Sequence, residues 1–159
     1  MTTIKLNQSV PEFSAPATSG LTFTMTAMRG YPVVMYFYPK DNTPGCTTQA
    51  NAFRDAYTVF DKLGVVLVGV SRDNIASHEK LKAKFSLPFE LISDTDEHLC
   101  QLFGTIKEKK MYGKTVRGIE RSTFLIDQNG VLRHTWRGLT VAGHVEEVQN
   151  TIRNLISKV

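Results

Sequence analysis

The stretch YPVVMYFYPKDNTPGCTTQANAF, residues 31–53, changes its periodicity half-way along. Its first part, Tyr31 to Pro39, is an unbroken β-branched and aromatic run, the pattern of a strand buried on both faces. Beyond it, Ala50, Phe53, Tyr57, Phe60 and Leu63 recur every three or four residues and mark one face of a helix, which Gly64 can stop. The joint, PKDNTPGC, is a turn sequence that ends on a cysteine. A second apolar run, VVLVGVS (Val65–Ser71), follows at once, so the stretch opens a β-α-β unit.

The pattern continues downstream. DNIASHEKLKAKFS predicts a helix, PFELISD a short strand, and TDEHLCQLFG a short helix that Gly104 ends. STFLIDQNGVLRHTW reads as a hairpin with Asn129-Gly130 in its tight turn. The last helix runs from about Val141 to Ser157, with Val145, Val148, Ile152, Leu155 and Ile156 at helical spacing. Upstream, FSAPATSGLTFTM has a turn signal at Ser19-Gly20 between two short extended pieces. The lysine-rich KEKKMYGK, Lys107 to Lys114, reads as a solvated loop. The order argues an α/β fold: a central mixed β-sheet flanked by helices, with an N-terminal β-hairpin. No repeat or linker interrupts it, so residues 1–159 are expected to form a single domain.

Composition excludes several classes. Of 159 residues, 42% are hydrophobic and 21% charged, ordinary for a soluble protein that builds its own core. The start, MTTIKLNQSVPEFSAP, lacks the apolar run of a signal peptide, and no stretch has the roughly 18–20 apolar residues of a spanning helix. The expectation is a cytoplasmic protein without membrane contact, in a compartment that keeps thiols reduced. The net charge of +4 is spread along the chain rather than interleaved with aromatics, which argues against a nucleic-acid partner. His78, His98, His134 and His144 show no metal-ligand spacing, and Asp94, Asp96 and Glu97 beside His98 read as a helix start, so no metal is expected. Trp136 and Phe103 read as packing residues.

There are two cysteines, too few for a disulfide framework, and each is judged singly. With the helix beginning at Thr43, that residue is an N-cap whose hydroxyl can accept a backbone N–H, and Pro44 falls at the first helical position. Gly45 and Cys46 follow in the first turn. The Cys46 sulfur then lies near unpaired N–H groups and the positive end of the helix dipole, both of which favour thiolate over thiol. A cation is still needed beside it. Arg121, entering the strand RSTFLID, is the candidate, since a sheet of this order can bring it to the strand end next to the Cys46 helix. Pro39 stiffens the wall of the loop, and the Thr43 hydroxyl can hydrogen-bond an oxygen ligand held beside the sulfur. The alternative reading of spacing alone is a cysteine packed as a small hydrophobe.

Pro39, Thr43 and Cys46, as P-x-x-x-T-x-x-C, resemble the active-site motif of the peroxiredoxins, and YFYPKDNTPGCTTQA most resembles their Q-type subfamily, the bacterioferritin comigratory proteins. The resemblance extends over essentially the whole chain, through VPEFSAPATSG, LVGVSRDN, LISDTDEHLCQLFG and MYGKTVRGIERSTFLIDQNGVLRHTW. It implies a thioredoxin-like fold and a thiol-dependent peroxidase that reduces hydrogen peroxide and organic hydroperoxides. The implied catalytic set is Cys46 as peroxidatic nucleophile with Thr43, Pro39 and Arg121, and Gly45 joins Thr43, Cys46 and Arg121 in binding substrate. No cofactor is implied, because sulfur carries the redox change. The partners implied are a hydroperoxide and an outside thiol: thioredoxin, glutaredoxin or glutathione. A monomer or weak dimer is expected.

One departure touches the recycling step. Many Q-type members carry a resolving cysteine five residues after the first, and here that position is Asn51. Cys100, among Leu99, Leu102 and Phe103, reads as a core residue; it is the remaining internal candidate for resolving Cys46. The expectation is therefore a one-cysteine cycle, with internal resolution by Cys100 or an intersubunit bond as alternatives. Two other functions are weighed. A thioredoxin-like disulfide oxidoreductase wants C-x-x-C, but Thr47, Thr48 and Gln49 follow Cys46. A non-enzymatic holdase or weak nucleic-acid binder would use the basic surface.

Overall fold

The computed structural model describes residues 4–157. Strand β3 (Val33–Phe37) is central and buried along its whole length. It pairs in parallel with β4 (Val66–Ser71), which pairs in parallel with β5 (Glu90–Ser93). On its other side β3 pairs antiparallel with β8 (Ser122–Ile126), and β8 with β9 (Leu132–Arg137). The result is a sheet that is mixed, as the alternation predicts, with five strands in the order β5-β4-β3-β8-β9. Helices α1 (Pro44–Lys62), α2 (Ile75–Phe85), α3 (His98–Leu102) and α4 (His144–Ser157) flank it. The N-terminal hairpin, β1 (Ser14–Pro16) with β2 (Thr22–Thr24), turns through Ser19 and Gly20, both at positive φ, as that dipeptide predicts.

Alternation along β3 divides the interior in two. Val33, Met35 and Phe37 face a core shared with β1, β2 and α3, which includes Phe13, Phe103, Phe124 and Cys100. Val34, Tyr36 and Tyr38 face the opposite core, shared with α1 and α4, which includes Cys46, Phe53, Leu125 and Trp136. Each large side chain fully buried here contributes about 1.5–3 kcal/mol of transfer free energy. Tyr36 lies flat across β4 because its partner there is Gly69, where a Cβ would come within 2.8 Å of the tyrosine ring. Trp136 and Phe103 serve as packing residues, and the Trp136 indole N–H donates to Glu147 at 2.6 Å.

Three expectations are corrected. The KEKKMYGK segment is solvated, but it is not a loop: β6 (Ile106–Met111) and β7 (Lys114–Ile119) form a separate hairpin around Tyr112 and Gly113, both at positive φ. Apart from Ile106 and Ile119 at its base, which join the core, its described side chains are largely exposed, so its sequence carries no hydrophobic alternation to betray it. Arg117 on β7 ties it to Glu97, which also accepts from Arg72 at 3.0 Å. The Asn129-Gly130 turn is not a two-residue loop with both residues at positive φ. Only Gly130 is left-handed, and the Asp127 carboxylate accepts the N–H groups of Asn129 and Val131, so the turn is organised from Asp127. The last helix begins three residues later than its apolar spacing predicts, at His144, and Ile156 faces solvent.

His144 gives the fold a measurable acid sensitivity. It is buried at the head of α4, with Nε2 2.8 Å from the Thr123 hydroxyl and its ring edge-on to Phe53 and Trp136. Burial pushes its imidazole down from 6.5 to about 4, against a smaller opposing effect of Glu147. Between those values the unfolded chain binds a proton that the folded chain refuses. This contribution to stability is complete above pH 6.5 and declines as pH falls toward 4, by about 3 kcal/mol in all. Urea unfolding at pH 7.0, 5.5 and 4.5 should show the loss, and His144→Gln should flatten it over that interval.

Candidate active site

The site lies where the parallel strands β3, β4 and β5 end, the rim at which open α/β sheets present their loops. Pro39 leaves β3 and is half-buried, lining a cleft of about 400 Å³ with Lys40, Arg72, Asp73, Thr95 and Glu97. The loop closes at Thr43, whose extended φ/ψ makes it the N-cap position of α1, with Pro44 in the first turn. Its hydroxyl does not cap the helix as the sequence suggests. It donates instead to the Lys40 carbonyl at 2.9 Å, inside the loop. The N–H groups of Gly45 and Cys46 are therefore first-turn donors with no carbonyl within the helix to bond and no capping hydroxyl.

Cys46 is buried, with 4% of its surface exposed, and its thiol is free. Arg121 reaches it from the sheet. Phe37 at the end of β3 is paired with Ser122 at the start of β8, so the residue before Ser122 stands at the strand end from which the active-site loop departs. From there Arg121 Nη1 lies 3.5 Å from Cys46 Sγ. The same nitrogen donates to Gln49 Oε1 at 2.7 Å. Gly45 makes room for the guanidinium, since a Cβ at that position would sit 3.1 Å from Nη2. The sequence-predicted residues Thr43, Gly45, Cys46 and Arg121 thus converge, with Pro39 at the edge of the same loop.

Gln49 was not legible as part of the site. It is fully buried one helical turn after Cys46, and it fixes the arginine that faces the sulfur. The available signal was spacing: a polar residue three positions after the cysteine, among the apolar positions of α1, shares that cysteine's face. Its Nε2 has no protein partner, nor has Asn51 Oδ1.

Cys100 lies elsewhere. It is fully buried in the core on the other side of the sheet from Cys46. Its N–H donates to Asp94 Oδ2 at 2.8 Å, and Asp94 Oδ1 accepts from Leu99, so the acidic group before α3 caps that helix as expected. Burial, and then the neighbouring Asp94 carboxylate, push the Cys100 thiol far up, away from the ionised form that attacks a sulfenic acid. Asp41, Asp73 and His78 do bring three potential metal-ligand atoms within 4.8 Å of one another, a grouping that spacing along the chain does not reveal.

Comparison with known proteins agrees with this geometry. Residues 6–135 match the AhpC/TSA family. The chain belongs to that family. It is 47% identical over 150 residues to peroxiredoxin Bcp of Xanthomonas campestris, covering 93% of this chain and 94% of the relative. It is 43% identical over 156 residues to peroxiredoxin Bcp of Bacillus subtilis, covering 98% and 99%. Among solved structures, Xanthomonas campestris peroxiredoxin Q superposes with a TM-score of 0.89 at 43% identity, covering 96% of this chain and 97% of that one. A cysteine-to-serine mutant of Xylella fastidiosa PrxQ gives 0.91 at 36% identity, covering 98% and 99%. The peroxiredoxin expected from P-x-x-x-T-x-x-C and its Q-type subfamily expected from YFYPKDNTPGCTTQA are borne out, as are the thioredoxin-like fold and the enzyme class, a thiol peroxidase. A peroxide substrate and a thiol reductant follow from that class. Among the described residues, no helix is long and apolar enough to cross a membrane.

Proposed function

We propose that this peroxiredoxin works through Cys46 in a one-cysteine cycle. The Cys46 thiolate attacks the terminal oxygen of hydrogen peroxide or an alkyl hydroperoxide in line with the O–O bond. That bond breaks, the leaving oxygen takes the hydroperoxide proton and departs as water or an alcohol, and the sulfur is left as a sulfenate, which takes a proton from solvent to become the sulfenic acid. Thr43, with its hydroxyl hydrogen spent on the Lys40 carbonyl, offers lone pairs to the hydroperoxide proton. The N–H groups of Gly45 and Cys46 hold the oxygens, Pro39 shields the loop, and Arg121 stabilises both the thiolate and the charge that develops on the leaving oxygen. The observation that carries this reading is the Arg121 guanidinium 3.5 Å from the sulfur.

An outside thiol then attacks the sulfenic acid, and a second thiol releases Cys46. Two features support external resolution. Asn51 occupies the position of the local partner, and Cys100 belongs to the opposite core, whereas a disulfide needs Cα atoms within about 7 Å. Thioredoxin, glutaredoxin and glutathione are the reductants to test. The protein acts as one domain over residues 1–159, as a monomer or weak dimer, in the reducing cytoplasm and without nucleic acid or a cofactor.

Mass spectrometry after one equivalent of peroxide, without reductant, tests the cycle. Cys46 should be trapped by dimedone as its sulfenic acid adduct, in a monomer whose Cys100 remains a thiol. Cys100→Ser should leave that first oxidation unchanged. A Cys46–Cys100 bond or a disulfide-linked pair of chains would overturn the one-cysteine cycle.

A further inference from the structure

Asp41 fastens the active-site loop to the elements around it. Asp41, midway between Pro39 and Thr43, is 5% exposed although it is a loop carboxylate. Its Oδ1 accepts the Tyr38 hydroxyl at 2.7 Å, and its Oδ2 accepts the Ser77 hydroxyl at 2.7 Å and faces His78 Nδ1 at 2.7 Å. Its own N–H donates to Asp73 Oδ2 at 2.9 Å, and Asp73 is held in turn by the Ser71 hydroxyl at 2.6 Å. These bonds join the loop to the residue after β3, to the end of β4 and to α2.

His78 is fully buried, and its second nitrogen, Nε2, lies 3.0 Å from the Ile92 carbonyl of β5. A carbonyl only accepts, so Nε2 carries a hydrogen. An ionised carboxylate likewise only accepts, so Nδ1 faces a second acceptor in Asp41. Burial, the largest single influence, would raise the Asp41 carboxyl; the hydrogen bond and charge of His78 together with the Tyr38 and Ser77 hydroxyls outweigh it, and the net direction is down. The three potential ligand atoms here are thus engaged with the protein. A buried ion pair is a weak source of stability, because desolvation offsets much of its attraction. A fully satisfied buried network does fix position. The position it fixes is one residue from Lys40, whose carbonyl takes the Thr43 hydroxyl hydrogen.

We propose that Asp41 and His78 are positioning residues for peroxide reduction: their buried pair holds the Lys40 carbonyl, that carbonyl sets the direction of the Thr43 hydroxyl, and the hydroxyl receives the hydroperoxide in line with Cys46. This rests on the roles given to Thr43 and Cys46 above. The pair acts through the loop and leaves the sulfur's own reactivity to Arg121. Peroxide reduction and simple alkylation of Cys46 should therefore respond differently, since iodoacetamide needs the thiolate but not Thr43.

Two rate constants test it on the full chain: oxidation of Cys46 by hydrogen peroxide, followed by rapid-quench mass spectrometry, and alkylation by iodoacetamide. Asp41→Asn and His78→Gln should slow oxidation about tenfold or more while alkylation stays within about twofold, because small misplacements of a binding group are amplified in rate. Thr43→Val should show the same split. An oxidation rate unchanged in folded Asp41→Asn, or an equal fall in both rates, overturns the inference. Should Asp41→Asn not fold, Ser77→Ala removes a single donor from the same carboxylate; a fall of about threefold in oxidation alone supports the inference, and no fall overturns it. If Thr43→Val shows no split, the role given to Thr43 fails and the inference with it. If Thr43→Val splits the rates and the Asp41 and His78 variants do not, this inference fails alone.

Discussion

Cys46→Ser abolishes peroxide consumption: with hydrogen peroxide and a thiol reductant in excess, the expected loss is on the order of 10⁴-fold or more, to the level of the uncatalysed background. A serine hydroxyl stays protonated at neutral pH, and oxygen cannot take up and release the transferred oxygen atom as sulfur does. Nothing else in the site can substitute for it. Thr43, Gln49 and Arg121 bind and polarise but have no redox chemistry, and Cys100 is fully buried in the opposite core. The exchange is nearly isosteric, so thermal unfolding should be little changed and the loss assignable to chemistry. Peroxide consumption that survives in folded Cys46→Ser but disappears in Cys100→Ser would move the nucleophile to the other cysteine and overturn the assignment.

The cysteine was legible because its context is local. A buried strand, a Thr-Pro-Gly turn and a helix start lie within sixteen residues of chain, and each leaves its own signature in composition or period. Arg121 was legible only by combining local pattern with sheet order, and the pairing of Phe37 with Ser122 realises that order. What failed was side-chain direction. Thr43 has the identity of a helix cap and occupies the cap position, yet its one hydrogen goes to Lys40, since a hydroxyl in a tight loop has a competing carbonyl within reach. Gln49 and the Asp41–His78 pair were invisible for a related reason. Their partners are 72 and 37 residues away, and nothing in a period or a turn signal says which buried polar side chains will meet. The β6–β7 hairpin escaped because, beyond Ile106 and Ile119 at its base, its strands project into solvent and bury no continuous face.

Arg121 offers the second large effect. Arg121→Lys keeps a positive charge, but loses the fork that reaches Cys46 Sγ and Gln49 Oε1 from one nitrogen, while the other lies against Gly45. Arg121→Gln loses the charge as well. Removing a preorganised donor from a site where charge develops costs about 10²–10³ in rate, or ~3–4 kcal/mol. Arg121→Gln should reach that range for oxidation of Cys46 by peroxide, and Arg121→Lys should fall between it and the wild type. Unlike the Asp41 and His78 variants, both should slow alkylation by iodoacetamide as well, because the guanidinium acts on the sulfur itself. Gln49 shapes the outcome. Deprived of Arg121, its buried Oε1 loses its donor while its Nε2 already lacks an acceptor, so the substitutions should also lower stability by about 1–3 kcal/mol. Gln49→Leu in the Arg121→Gln background should restore part of that stability and none of the rate. Recovery of the rate would mean that the arginine serves to satisfy Gln49 rather than to hold charge beside Cys46. Urea unfolding and rapid-quench oxidation of the same two variants separate these outcomes.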